Sequence, residues 1–282
     1  MIDKNNNESN SKEGLALSKV VWSTGLVKEE MGKKLNDWAM KVEDELKLMT
    51  TAETAEMQQW NKQSIRRLPE CFTDLNKKAY KPQFVSFGPY HNWDSHLRLM
   101  EKHKRRALLH FLKKSRKPLA SYIAALAKVA PNLKDSYDSL GSTSEEDPDR
   151  FLMMMILDGC FMLEVLRTWT SQQTHDYSYS DPIFSAHGKL HVVPNIRRDM
   201  IMLENQLPML LLTTLLAVEN EETQQDEESV NKLIREFCFP NPWFPLDFPI
   251  GECLHLLDVY RSSLLREDTV KRAKRRILRN VF

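Results

Sequence analysis

Five polar side chains fall inside otherwise apolar segments and so occupy the places an acid–base pair would need: Asp158, Glu164, Glu204, Asn205 and Gln206. Two carboxylates enclosed near one another can have their proton affinities driven apart, which is how general acid and general base are made from one residue type. Burying such a group without a partner costs roughly several kcal/mol. The same residues therefore suit a second role, capping or cross-linking core helices through hydrogen bonds. Arg197 and Arg198 precede Glu204 by one to two helical turns and are available as its positive partners. The cross-linking role is favoured, because no nucleophile or phosphate-cradling loop accompanies the carboxylates.

The histidines give no stronger lead. His96, His103 and His110 recur every seven residues, a rise of about 10.5 Å on a helix, so they cannot share one metal. They read as a solvated or partner-facing stripe. His187 and His191 have the i, i+4 spacing that could hold zinc on a helix, near Asp181. Gly188, Pro182 and Pro194 argue against a helix there. The chain has no G-x-S-x-G, no H-E-x-x-H and no Walker A sequence. No catalytic, cofactor-binding or metal-binding residue is assigned, and no small-molecule ligand is expected.

Two segments suit contact with other molecules. Lys102, Lys104, Arg105, Arg106, Lys113 and Lys114 make one stretch strongly basic, with acidic lipid headgroups or an acidic partner as the matching surfaces and a merely solvated face as the plain alternative. Upstream, Met31, Leu35, Trp38, Val42 and Met49 fall at heptad a/d positions, interrupted by Glu45. Such a stripe either packs on its own domain or receives a partner helix.

Composition bounds the rest. The 282 residues carry 40 Lys+Arg against 39 Asp+Glu, a formal charge of +1, without the basic excess of a nonspecific nucleic-acid binder. Only 8 glycines stand against 13 methionines, which disfavours phosphate loops and favours helices. The cysteines (71, 160, 238, 253) form no C-x-x-C pair and read as free thiols, three of them in apolar runs. The polar start, residues 1–14, has no apolar core of a signal peptide. The longest apolar run, Phe151 to Leu166, contains Asp158 and Glu164 and falls short of the roughly 20 residues a membrane span needs.

The elements that must position these residues are mainly helical. Residues 1–14 read as a disordered tail and 15–60 as an amphipathic helical extension. Gln83 to Phe87 could form a short strand before a Gly88-Pro89 turn. A helix follows from Asp94 or Ser95 to about Lys114, and Pro118 separates it from another reaching about Val129. Asp147-Pro148 reads as N-cap and first residue of a central helix to about Trp169. A further helix runs from about Asn195 to Val218 with Pro208 inside it, where proline kinks or breaks the helix. Shorter helices are expected over 229–239 and 252–265, with a proline-rich stretch between them and a basic tail at 271–282. That tail suits a nuclear-localisation patch, a solubilising helix end or a segment preceding a membrane anchor.

Seven strings occur in a telling order: IRRLP (65–69), YKP (80–82), VSFGPYH (85–91), LMEKHK (99–104), LDGCFML (157–163), DMIMLENQLP (199–208) and HLLDVYR (255–261). Together they resemble the plant family called domain of unknown function 247, over most of the chain; the first reads IRRLP where the family has an IxRVP-like element. The resemblance implies one large helical domain over 61–270, no established enzymatic activity, and a role in protein interaction or signalling. Some grass members are similar to determinants of pollen self-incompatibility. Members typically continue further and end in a C-terminal membrane helix at the plasma membrane; this chain, without one, is expected to be a truncated member and cytoplasmic. The motif residues taken as structural are Gly88, Pro89, Tyr90, His91, Asp158, Gly159, Glu204, Asn205, Gln206 and Pro208. Those expected at an interaction surface are Leu35, Trp38, Val42, Lys102, Lys104, Arg105 and Arg106, meeting a protein partner or the periphery of a membrane rather than nucleic acid.

Overall fold

The computed structural model describes residues 35–44, 63–74, 76–138, 140, 147–170, 177–221, 227–240 and 250–265. The expected disordered tail, most of the 15–60 extension, the 241–249 proline stretch and the basic tail lie outside the described residues. The chain divides into two units, Met1–Gln59 and Trp60–Phe282. In the first, residues 35–44 form helix α1, and Leu35, Trp38, Met40 and Val42 are all exposed.

The second unit runs α2 (Glu70–Thr73), α3 (Lys77–Tyr80), a 3₁₀ turn (Ser95–Met100) leading directly into α4 (Glu101–Ser115), α5 (Leu119–Asp135), α6 (Pro148–Thr170), α7 (Ala186–His191), α8 (Val193–Met200), α9 (Met209–Asn220), α10 (Glu227–Cys238) and α11 (residues 256–265). The fold is mainly α. Among the described residues no strand forms; β pairing is limited to isolated bridges between Ile65 and Tyr137 and between Pro208 and His255.

Helix α6 is the centre. Asp147 Oδ1 accepts the Arg150 N–H at 3.0 Å, and Pro148 occupies the first turn, where its missing N–H costs nothing. From Phe151 onward α6 buries Met154, Met155, Ile156, Phe161, Met162, Leu163, Val165 and Leu166 around its whole circumference. A helix apolar on every side must be surrounded, and α4, α5, α9 and α10 all pack on it. Each buried Leu, Met or Phe contributes about 1.5–3 kcal/mol. Gly159 permits the closest approach: a Cβ there would lie 2.6 Å from Leu215 Cδ1 on α9.

Three element expectations are corrected. The helix expected over 195–218 is two helices, α8 and α9, separated by 201–208, and Pro208 sits at the N-cap of α9 rather than inside a kinked helix. Proline cannot donate to a preceding turn and keeps its predecessor out of the α region, so the chain leaves the helix and restarts it. The segment His187–His191 is helical despite Gly188, because Ser185 Oγ caps α7 through the Gly188 N–H. A Cβ at 188 would meet the Ile183 carbonyl at 2.5 Å, so glycine is what lets α7 pack there. Finally, α5 passes Val129 and runs to Asp135 with Pro131 inside it.

Candidate functional site

The polar residues singled out in the sequence converge on one segment, the strap 82–91 (PQFVSFGPYH). An extended, buried backbone must find partners for every N–H. Among the described residues no neighbouring strand supplies them; side chains accept those of Gln83, Phe84, Val85, Phe87 and Gly88, and Gln83–Phe87 is not a β-strand. Asp199 Oδ2, at the end of α8, accepts the N–H groups of Gln83, Phe84 and Val85 at 3.0, 2.6 and 3.0 Å. Asn205 Oδ1 accepts the Phe87 N–H at 2.6 Å, and its Nδ2 donates to the carbonyls of Val85 and Asp199. Asp158 Oδ2, from the centre of α6, accepts the Gly88 N–H at 2.8 Å.

Gly88 carries φ +75°, and an added Cβ would meet Tyr137 Oη at 2.8 Å and the Gln206 carbonyl at 2.9 Å. Both the backbone conformation and the space require glycine. Pro89 continues the turn, and Tyr90 Oη donates to the Ile65 carbonyl at 2.9 Å while accepting the Asp138 N–H.

Lys104 was expected on the exposed basic face and is instead fully buried. On α4 it projects opposite Lys102 and Arg105, toward α6. Its Nζ lies 2.6 Å from Asp158 Oδ1 and 2.7 Å from Glu101 Oε1, and donates to Ser86 Oγ at 3.2 Å. Burial pushes the Asp158 carboxyl up to about 6, against the pull of Lys104 in the opposite direction. Arg106 is also engaged, reaching Asp181 at 2.9 Å. Lys102 and Arg105 are exposed.

Glu204 binds the Leu68 N–H through Oε1, and its Oε2 lies 3.2 Å from His91 Nε2, at ion-pair distance though without hydrogen-bond alignment. Burial raises the Glu204 carboxyl, but His91, the Leu68 N–H and Arg67 together outweigh it and the net direction is downward. Neither Arg197 nor Arg198 is its partner: Arg197 lies between the rings of Trp169 and Phe237, and Arg198 pairs with Asp199. Gln206 Nε2 donates to the carbonyls of Met200 and Met202, and its Oε1 accepts the Leu257 N–H at 3.0 Å. Of the residues named in advance, the structure thus brings together Gly88 to His91, Asp158, Glu204, Asn205, Gln206 and Lys104. Gly159 and Pro208 shape the helices beside them. Leu35, Trp38 and Val42 belong to the other unit.

Sequence reasoning missed Asp199, Tyr137 and Ser86. Asp199 had a signal: a carboxylate between Arg198 and Met200, opening one of the seven strings. The heptad histidines also differ from expectation. His110 stacks on Tyr177 at 4.0 Å, and the Nδ1 atoms of His103 and His110 are buried. Tyr177 Oη donates to Glu164 Oε2 at 2.7 Å, a carboxyl raised by burial.

Chemically, the network is a clamp. Both oxygens of Asp158 and both of Glu204 already have partners, and the two groups face different parts of the strap. An open cleft of about 450 Å³ lies elsewhere, lined by Lys114, Ser115, Arg167, Thr170, Glu219 and Asn220, where Arg167 and Glu219 pair with each other. Among the described residues no three metal-ligating side chains cluster, and no helix is long and apolar enough to cross a membrane.

The clamp joins residues from six of the seven strings, and comparison places the chain in a family. The family model described as "Plant protein of unknown function" (DUF247) matches residues 65–279, and the chain belongs to that family. It is similar to UPF0481 protein At3g47200 of Arabidopsis thaliana, 35% identical over 207 residues, covering 71% of this chain and 41% of that protein. It is also similar to the putative UPF0481 protein At3g02645 of the same plant, 23% identical over 209 residues, covering 69% and 36%. The chain therefore spans less than half the length of these curated relatives. No solved structure matches.

Proposed function

We propose that this chain is a non-catalytic module that works in plant signalling by binding another protein. The observation that carries the reading is the use made of the buried polar residues. Asp158, Asp199, Glu204, Asn205 and Gln206, the groups best placed to do chemistry, all serve backbone amides or carbonyls of the strap and its neighbours. Such a frame gives rigidity to the surfaces of the unit that carries it. The surface we assign to the protein partner is α1, where Leu35, Trp38 and Val42 share one exposed stripe at spacings of three and four. The matching occupant is an amphipathic helix of the partner.

The test compares the full chain with a Leu35→Glu/Trp38→Glu/Val42→Glu variant in affinity purification from plant tissue. Each captured protein is then purified and titrated against both forms. A partner that binds the native chain stoichiometrically and loses at least about a hundredfold affinity for the variant supports the module, given that truncating an interface anchor costs about 2 kcal/mol or more. Equal binding to both forms removes α1 from the reading. Turnover of a metabolite that is abolished by Asp158→Asn in a folded protein overturns it.

A further inference from the structure

We propose that the outer ridge of the 3₁₀ turn and α4 docks the domain onto an anionic lipid surface. The ridge is set by spacing. On α4, Lys102, Arg105, Leu109 and Lys113 follow one another at intervals of three, four and four, which holds them on one helical face, and Arg98 precedes them in the 3₁₀ turn. All five are exposed, and the opposite face (Lys104, Ala107 and Phe111) is buried against the domain. From Lys102 to Lys113 the ridge extends over about 17 Å at 1.5 Å per residue. No carboxylate pairs with Arg98, Lys102, Arg105 or Lys113 among the described residues; Glu101 is occupied by Lys104 and Asp181 by Arg106. Among the described residues, then, four cations stand close together with no carboxylate paired to any of them.

Two leucines accompany the charges. Leu109 lies within the row, 61% exposed, and Leu99 on its shoulder, 73% exposed. Cations flanking projecting apolar side chains suit an interface in which headgroups meet the charges and the acyl boundary receives the leucines. The composition favours lipid over the alternatives. Protein interfaces are enriched in aromatic side chains and Arg and depleted in Lys, and this ridge has two lysines beside its two arginines and no aromatic. Nucleic acid would call for aromatic or hydrogen-bonding side chains between the cations, where this ridge places leucine. A single helix ridge is also convex, which a deformable membrane surface accepts. The surface is distinct from α1, so the two proposals stand or fall separately.

The test is co-sedimentation of the full chain with phosphatidylcholine vesicles, with and without about one-third phosphatidylserine. The native chain is expected to pellet only with the anionic vesicles and to release as salt rises toward physiological strength and beyond, as screening predicts. Each cation removed is expected to weaken partition about fivefold, the effect of one basic residue at an anionic surface. Lys102→Glu/Arg105→Glu/Lys113→Glu should therefore reduce it by at least about a hundredfold, with an unchanged melting temperature because all three side chains are solvated. Leu99→Ser/Leu109→Ser should weaken partition several-fold while leaving its salt dependence intact. Binding that survives the triple reversal overturns the proposal and points to another basic segment. Equal binding to neutral vesicles overturns it as well. Failure to bind vesicles combined with retention on poly-glutamate or on RNA, lost in the triple reversal, would overturn it in favour of that partner.

Discussion

Asp199 Oδ2 receives three successive backbone N–H groups, and charge-assisted bonds of this kind are about twice as strong as neutral ones. Removing the acceptor leaves three donors at the start of the strap without a partner, at about 1–3 kcal/mol for each that stays buried. Asp199→Ala should lower stability by at least about 3 kcal/mol in urea unfolding, and Asp199→Asn, which keeps one acceptor oxygen, by roughly half as much. Glu204 has a pH signature. Its carboxyl is held below the ordinary value of about 4.5, so its ionised form contributes stability that is complete above that value and lost as pH falls through the lower folded one. The stability gap between the native chain and Glu204→Gln should therefore be present above about pH 4.5 and close on further acidification. Equilibrium unfolding at a series of pH values reads this directly, and a gap that widens below that pH would show the assignment to be wrong.

At the scale of elements, α4 and α6 are joined by the Lys104–Asp158 pair in the core. Breaking a buried pair on one side is far worse than replacing both members with apolar groups. Lys104→Met alone should cost about 3–5 kcal/mol, whereas Lys104→Met with Asp158→Leu should recover much of that; a double-mutant cycle in denaturant measures the coupling. Recovery will be incomplete because Gly88 loses its acceptor. This pair shows what the sequence made legible. The helical class, the centrality of α6, its Asp147-Pro148 start and the free thiols follow from composition, period and capping chemistry. That Asp158 and Glu204 need buried partners was also readable, since each interrupts an apolar run. Their partners were not. Lys104 looked like one more cation in a basic run because a lysine's surroundings lie on a different helix, some fifty residues away. The strap looked like a strand because its residues favour extended backbone; only the tertiary position of Asp199 and Asn205 decides that side chains, not a second strand, satisfy it. The 201–208 break is signalled by Pro208, which kinks or breaks a helix, but nothing local says which, nor that Gln206 will bind three separate backbone groups.

At the scale of the molecule, one unit encloses a core that includes three of the four thiols. Burial pushes Cys238 up to about 12 and Cys253 up to about 11, and raises Cys160 further, while Cys71 is exposed on α2. Thiol reactivity tracks the thiolate, so one cysteine should react quickly with a soluble disulfide reagent in the native protein and three only after unfolding. A Cys71→Ser variant should abolish the fast phase, and two or more fast thiols would mean the core is open. The clamp has a last consequence, for synthesis. The strap's amides at 84, 85 and 87 find their acceptors 115, 114 and 118 residues further along the chain. As the nascent polypeptide leaves the ribosome, the strap emerges long before Asp199 and Asn205 exist, and before Leu257 closes on Gln206. The strap therefore cannot complete its native hydrogen bonds until synthesis has passed Asp199 and Asn205.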